Sequence, residues 1–173
     1  MIKIQGDLCH SLLTKKIQPK LAFNDGTDFL AWRNEIREKL FELVGIDKIA
    51  ENACPLNIQI ESEEQMDGYK RIRFVFESET GSFVPCYLLI PDTGKDKYPV
   101  AITLQGHSSG VHNSVGIVKF PQDEEYQTRG KFAVQAVKNG FIALAIEQRG
   151  MGERRPSERH QNAANMCEYE AHI

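Results

Sequence analysis

The sequence predicts an α/β fold in which an antiparallel hairpin leads into a parallel strand–helix–strand unit. Two apolar, partly β-branched runs carry that prediction. They are Pro99-Val-Ala-Ile-Thr-Leu-Gln-Gly-His-Ser-Ser-Gly110 and Gly140-Phe-Ile-Ala-Leu-Ala-Ile-Glu-Gln-Arg-Gly-Met-Gly-Glu153, and each ends in a glycine-rich polar turn. A segment of helical composition, from about Thr128 to Asn139, lies between them. Parallel neighbours need such a crossover, and ligands of these sheets bind at the carboxyl ends of the strands. Both turns therefore fall on the functional edge.

The elements follow in order. Residues 1–26 have weak periodicity and end in the turn signal Asn24-Asp25-Gly26. A helix follows: Thr27 or Asp28 can cap it, Phe29, Trp32, Ile36, Leu40, Leu43 and Val44 recur at three- and four-residue spacing, and Gly45 stands at the stop position. Its stripe is expected to bury Trp32, Ile36 and Leu40. Residues 46–57, with Pro55, read as a connection, and Leu56 to Glu61 as a short edge strand. Arg71 to Ser78 alternates polar and apolar, Glu79 to Ser82 is a turn, and Phe83 to Pro91 is the return strand. Pro85 removes a ladder donor, which places that end of the strand at an edge or bulge. Pro99 to Leu104 and Phe141 to Ile146 are nearly continuous in apolar residues, which predicts burial on both faces. The expected division is a helical extension over residues 1–55 and an α/β domain over 56–173.

Composition narrows the function classes. With 173 residues, 41% hydrophobic and 26% charged, the chain has an ordinary globular composition. A formal charge of -3 gives no electrostatic case for nucleic acid, because Arg149, Arg154, Arg155 and Arg159 are interleaved with Glu147, Glu153 and Glu158. No apolar run approaches the ~20 residues of a membrane span, and Met1 to Asp7 lacks a signal-peptide core. Cys9, Cys54, Cys86 and Cys167 lie far apart without a C-x-x-C pair, so reduced thiols and a cytoplasmic location are expected. His107, His112, His160, Cys167 and His172 show no paired knuckles, so no metal is expected. No cofactor is expected either: residues 105–111 lack both G-x-G-x-x-G and a Gly-Lys-Ser/Thr phosphate loop.

The first turn, Gly106-His-Ser-Ser-Gly110, spells G-x-S-x-G, the pattern of a hydrolase nucleophile elbow, with Ser108 as nucleophile. An elbow runs directly into a helix, and residues 111–121 are rich in glycine, asparagine and β-branched side chains, which favours a loop. The favoured reading is an oxyanion loop. Ester hydrolysis builds negative charge on the carbonyl oxygen, and a fixed backbone N–H stabilises it. Gly106 lets the backbone approach a substrate, and the N–H of His107 is the donor. In the second turn Glu147, Arg149, Gly150 and Gly152 read as a structural loop. A triad of Ser108, Glu147 and His160 or His172 is the less favoured alternative.

In this order and spacing the chain resembles the N-terminal half of an α/β-hydrolase, in the branch of acetyl xylan esterases and dienelactone-hydrolase-like proteins. The similarity covers about residues 27–173 and rests on Pro99 to Gly110, the helix from Arg129 to Gly140, and Phe141 to Glu153 with its Arg-Gly-x-Gly turn. Where the family usually has His-Gly at the oxyanion turn, Gln105-Gly106 stands here, and the glutamine can brace the loop. The resemblance implies half of an α/β-hydrolase sheet and a carboxylesterase-like serine hydrolase acting on small-molecule esters. It also places the serine elbow, acid and histidine of the family beyond Ile173. The alternative is a non-catalytic fragment that needs a homo-oligomer or a complementing C-terminal half to complete its sheet.

Overall fold

The computed structural model describes residues 7–106 and 108–155. Its contacts fall into two units, one ending at Glu51 and the other starting at Asn52. The first unit holds α1 (Leu8–Lys16), α2 (Phe29–Val44) and α3 (Ile46–Glu51). The Asp28 carboxylate caps α2 by accepting the Ala31 N–H at 2.7 Å, and Gly45, at φ +63°, closes it in the left-handed conformation that glycine tolerates best. Trp32 donates its indole N–H to the Leu21 carbonyl at 2.9 Å and meets the Phe23 ring edge-on. The apolar stripe is nevertheless not buried. Trp32 and Ile36 are only half-buried and Leu40 is 52% exposed, so periodicity placed the helix but overstated its burial.

The second unit is a mixed five-stranded sheet. Its strands are β1 (Gln59–Met66), β2 (Tyr69–Glu79), β3 (Ser82–Pro91), β4 (Val100–Thr103) and β5 (Ile142–Ile146), in the order β1-β2-β3-β5-β4. The first three form an antiparallel meander turned at Asp67-Gly68 and Thr80-Gly81. Strand β5 pairs antiparallel with β3 and parallel with β4, Ala143 standing opposite Ala101. The carboxyl ends of β4 and β5 therefore lie side by side.

Edge strand β1 runs five residues past its expected end at Glu61. Its continuation is polar, and cross-strand ion pairs hold it: Glu61–Arg73 at 2.5 Å, Glu64–Arg71 at 2.9 Å, and Glu63–Lys70. A charged edge also discourages pairing with other chains. Pro85 sits where the β3–β5 ladder ends. Its carbonyl accepts the Glu147 N–H at 3.0 Å, so its donorless nitrogen faces the departing end of β5.

One face of the sheet carries the core. Tyr69, Tyr87, Leu89, Ala143 and Ala145 pack with Ala133 and Val137 of α5 (Phe132–Lys138) and with Val111 and Val115 of the 3-10 helix Val111–Val115. The expected helix is shorter than its composition predicted, because α4 (Tyr126–Arg129) breaks from α5 at Gly130. The expectation of two-sided burial fails for β4: Val100 and Leu104 are more than half exposed and Ile102 is 63% exposed. The covering helices lie on the alanine face, while Ile102, opposite Leu144, points the other way.

Two truncations test this asymmetry. Leu89→Ala, at a fully buried position, is expected to lower stability by about 2–5 kcal/mol in urea denaturation. Ile102→Ala in the same chain is expected to cost less than about 1 kcal/mol, because most of that side chain already faces solvent.

Candidate functional site

The parallel pairing of β4 and β5 brings Gln105 beside Glu147, both just past their strands. The Gln105 Nε2 donates to Glu147 Oε1 at 2.5 Å, and both side chains are buried. The Glu147 carboxylate also accepts the Val111 N–H, at 3.1 Å to Oε2 and 3.2 Å to Oε1, and the Glu153 N–H. All these partners are donors, which is the surrounding an ionised carboxylate requires. Burial pushes this carboxyl above its usual range and outweighs the opposing pull of the Val111, Glu153 and Gln105 donors. The residue is 1% exposed.

Two glycines make room for it. A Cβ on Gly152, which has φ +47°, would sit inside the Glu147 carboxylate. A Cβ on Gly110 would lie 2.9 Å from His112 Nδ1 and 3.0 Å from Glu147 Oε2. Glu153 turns back over the site. Its carboxylate meets Arg73 Nη2 at 2.7 Å and Lys119 Nζ at 2.8 Å. Burial raises its pKa, but Lys119 and Arg73 reverse that and hold it below the usual range.

A second buried carboxylate, Asp123, organises the rest of the loop. Its Oδ2 accepts the Phe120 N–H at 2.9 Å, the Lys119 N–H at 3.0 Å and His112 Nε2 at 2.9 Å. Its Oδ1 accepts the Ser109 hydroxyl. Asn113 Nδ2 donates to Ser109 Oγ at 2.9 Å. Burial raises the Asp123 pKa, but the Ser109, Phe120, His112 and Lys119 donors more than reverse it. Burial lowers the His112 pKa below the ordinary histidine value, with Asp123 opposing. Because a carboxylate only accepts, His112 donates its Nε2–H to Asp123 in this hydrogen bond.

Ser109, His112 and Asp123 have the residue types of a catalytic triad but not its geometry. In a triad the histidine uses one nitrogen for the serine and the other for the acid. Here the same Nε2 faces both, at 3.0 Å to Ser109 Oγ and 2.9 Å to Asp123, and the serine is buried and bonded directly to the acid. The cluster pins a loop. Sequence reading missed it, since these residues follow no period. The one available signal was Phe-Pro ahead of Asp123, which suits an acid accepting the N–H at the start of the 3-10 helix Pro121–Glu125.

The other singled-out residues are placed as follows. Ser108 is buried, and its hydroxyl bonds the Gly110 carbonyl at 3.5 Å. The segment after it is a 3-10 helix, not the α-helix of an elbow. Arg149 is exposed and pairs with Glu79, and Gly150, at φ +73°, forms the turn beyond it. Gly106 is exposed and faces open space: a Cβ there meets nothing within 4 Å. His107, His160 and His172 lie outside the described residues. A cavity of 320 Å³ opens beside Gly106, bounded by Gln105, Ser108, Asn113, Ser114, Tyr126, Arg129, Gly130 and Phe132. Among the described residues no group of three potential metal ligands comes together, and no helix is long and apolar enough to cross a membrane.

Stability should follow the two carboxylates. Asp123 and His112 both have folded pKa values below their unfolded ones, so their contribution is full above the unfolded values and lost as pH falls through the folded ones. Glu147, raised, has the opposite sign, its contribution declining as pH rises. Between about pH 6.5 and 4.5 the His112 and Glu147 contributions oppose each other, and the expected outcome is a stability that falls below about pH 4 as Asp123 is protonated, read from urea midpoints at each pH. In Asp123→Asn the lower part of that fall should flatten. Gly152→Ala is expected to cost more than about 2 kcal/mol at pH 7, through the displaced Glu147 carboxylate and the left-handed backbone.

Comparison with known proteins agrees with this architecture. The model of the Abhydrolase family matches residues 4–173. Among solved structures the chain is similar to a candidate acetyl xylan esterase from Bacteroides fragilis, at 21% identity and a TM-score of 0.67, over 91% of the chain and 41% of that protein. It is also similar to a methylesterase, at 20% identity and a TM-score of 0.53, over 70% of the chain and 24% of that protein. The chain thus spans less than half the length of either solved relative. No curated protein matches it. At these identities the structural likeness shows the fold, a partial α/β-hydrolase with its mixed sheet, and the family match shows the lineage: the chain belongs to the Abhydrolase family.

Proposed function

We propose that the chain is the N-terminal portion of a serine hydrolase of carboxylic esters, of acetyl-ester or carbohydrate-ester type, and that it supplies the oxyanion loop. The observation that carries this reading is the Gln105–Glu147 clamp. It sets Gly106, exposed and with open space before it, at the carboxyl end of a parallel strand beside a 320 Å³ cavity. An oxyanion donor works by being fixed before charge develops, and a buried carboxylate bonded to donors on both turns supplies that fixity. The donor assigned to this turn is the N–H of His107, which would stabilise the tetrahedral oxygen while a serine elsewhere in the protein attacks the carbonyl and a histidine takes its proton. The ester-cleaving names of the two structural relatives support the substrate class.

The exposed apolar side chains of β4 favour a second reading. Val100 and Ile102, with Leu104 just past the strand, are exposed where β4 forms the edge of the sheet among the described residues, which suits a chain that needs a complementing segment, or another copy, to complete its sheet.

The test uses a form of the protein that hydrolyses 4-nitrophenyl acetate. There Gly106→Val is expected to leave the melting temperature unchanged, because a Cβ there meets nothing within 4 Å, and to lower kcat/KM by about 10²-fold, the scale of one oxyanion donor that the substrate carbonyl can no longer approach. His107→Ala, which keeps the backbone donor, is expected to cost less than about tenfold, and Ser108→Ala to retain labelling by a fluorophosphonate probe. Labelling at Ser108 itself, lost in Ser108→Ala together with turnover, would overturn the assignment in favour of the Ser108, Glu147, His160 arrangement.

A further inference from the structure

The parallel ladder between β4 and β5 ends at Thr103 opposite Ala145. Just past it, side chains take the place of ladder hydrogen bonds. Glu147 holds the side chain of Gln105, and the next residue, Gln148, holds its main chain: the Gln148 Nε2 donates to the Gln105 carbonyl oxygen. A carbonyl only accepts, so the end of the Gln148 amide that faces it is the nitrogen. The same nitrogen lies 3.6 Å from Met151 Sδ, so both of its protons have an acceptor. Met151 is buried, and its N–H donates to the Gln148 carbonyl at 3.1 Å, which anchors the glutamine at its root as well.

A hydrogen bond at the Gln105 carbonyl acts on more than Gln105. That carbonyl and the Gly106 N–H belong to one planar unit, and the peptide is trans, so the two point in opposite directions. With the carbonyl drawn toward Gln148, the Gly106 N–H is directed away from it. That N–H makes no hydrogen bond among the described residues, and Gly106 is exposed. Glycine restrains its own backbone least of all residues, so a turn that starts at Gly106 needs the preceding peptide fixed from outside. We propose that Gln148 is a positioning residue of this turn: by gripping the Gln105 carbonyl it fixes the Gln105–Gly106 peptide plane, and with it the direction in which the chain sets out toward the donor assigned to His107. Its effect on catalysis rests on the oxyanion reading of the turn; its hold on the peptide does not.

The two are therefore measured separately. Gln148→Met keeps the length of the side chain and removes its N–H donors. In carbon-13 and nitrogen-15 NMR of the chain, the expected result is an upfield shift of the Gln105 carbonyl carbon and a displaced Gly106 amide nitrogen, with the carbonyls of Ala143 and Ala145 in β5 unmoved. In a form that hydrolyses 4-nitrophenyl acetate, kcat is expected to fall about tenfold with KM held within about twofold, the pattern of a group misplaced for the transition state alone. Gln148→Glu, nearly isosteric but ionised and without a donor at about pH 8, is expected to do the same, and it replaces Gln148→Met should that variant not fold. Unmoved Gln105 and Gly106 resonances would overturn the proposal whatever the turnover. Moved resonances with unchanged kcat, in a protein whose Gly106→Val has lost turnover, would overturn it and leave the oxyanion reading standing. Unchanged kcat in the Gln148 variants and in Gly106→Val alike would overturn both.

Discussion

The site depends on the burial of two carboxylates inside one loop. Residues 108–125 lead toward α4 as two short 3-10 helices joined by irregular backbone, and Val111 to Val115 are buried. A buried irregular backbone must find partners for its N–H groups or lose free energy at each one. Glu147 takes the Val111 N–H, and Asp123 takes those of Lys119 and Phe120. Each carboxylate would be costly to bury alone. Ringed by donors, each becomes the centre about which a loop can settle into one conformation.

That arrangement explains features otherwise unrelated. Gly152 and Gly110 are glycines because Glu147, and at Gly110 also His112, occupies the space a side chain would need. Glu153 is drawn between Arg73 and Lys119, which ties the second turn to the loop and to strand β2. Gly106 obeys neither constraint, since among the described residues nothing lies within 4 Å of a Cβ placed there. This difference separates two glycines required by packing from one that packing does not require.

Much of the fold was legible because its signals are local. Alternation in Arg71 to Ser78, the apolar runs before Gln105 and Glu147, and the Asp28 and Gly45 caps each report on their own residues. The continuation of β1 through Ser62 to Met66 was not legible, because its cohesion lies in cross-strand ion pairs rather than in its own polarity pattern. Burial was misjudged for Leu40 and Ile102 for a related reason: a stripe records that a surface is apolar and says nothing of whether something covers it. At the site, Gln105 and Glu147 could be placed from strand ends alone. The Ser109–His112–Asp123 cluster could not, because it joins loop residues through side chains that follow no period.

Amide hydrogen exchange measures the central claim most directly. If buried carboxylates hold the loop, the amides of Val111, Lys119 and Phe120 exchange as slowly as those of the β3–β5 ladder, although none belongs to a strand. Asp123→Asn then releases Lys119 and Phe120 while Val111, bonded to Glu147, stays protected. Fast exchange at all three amides in the unaltered chain, at rates typical of solvent-exposed loops, would contradict the account.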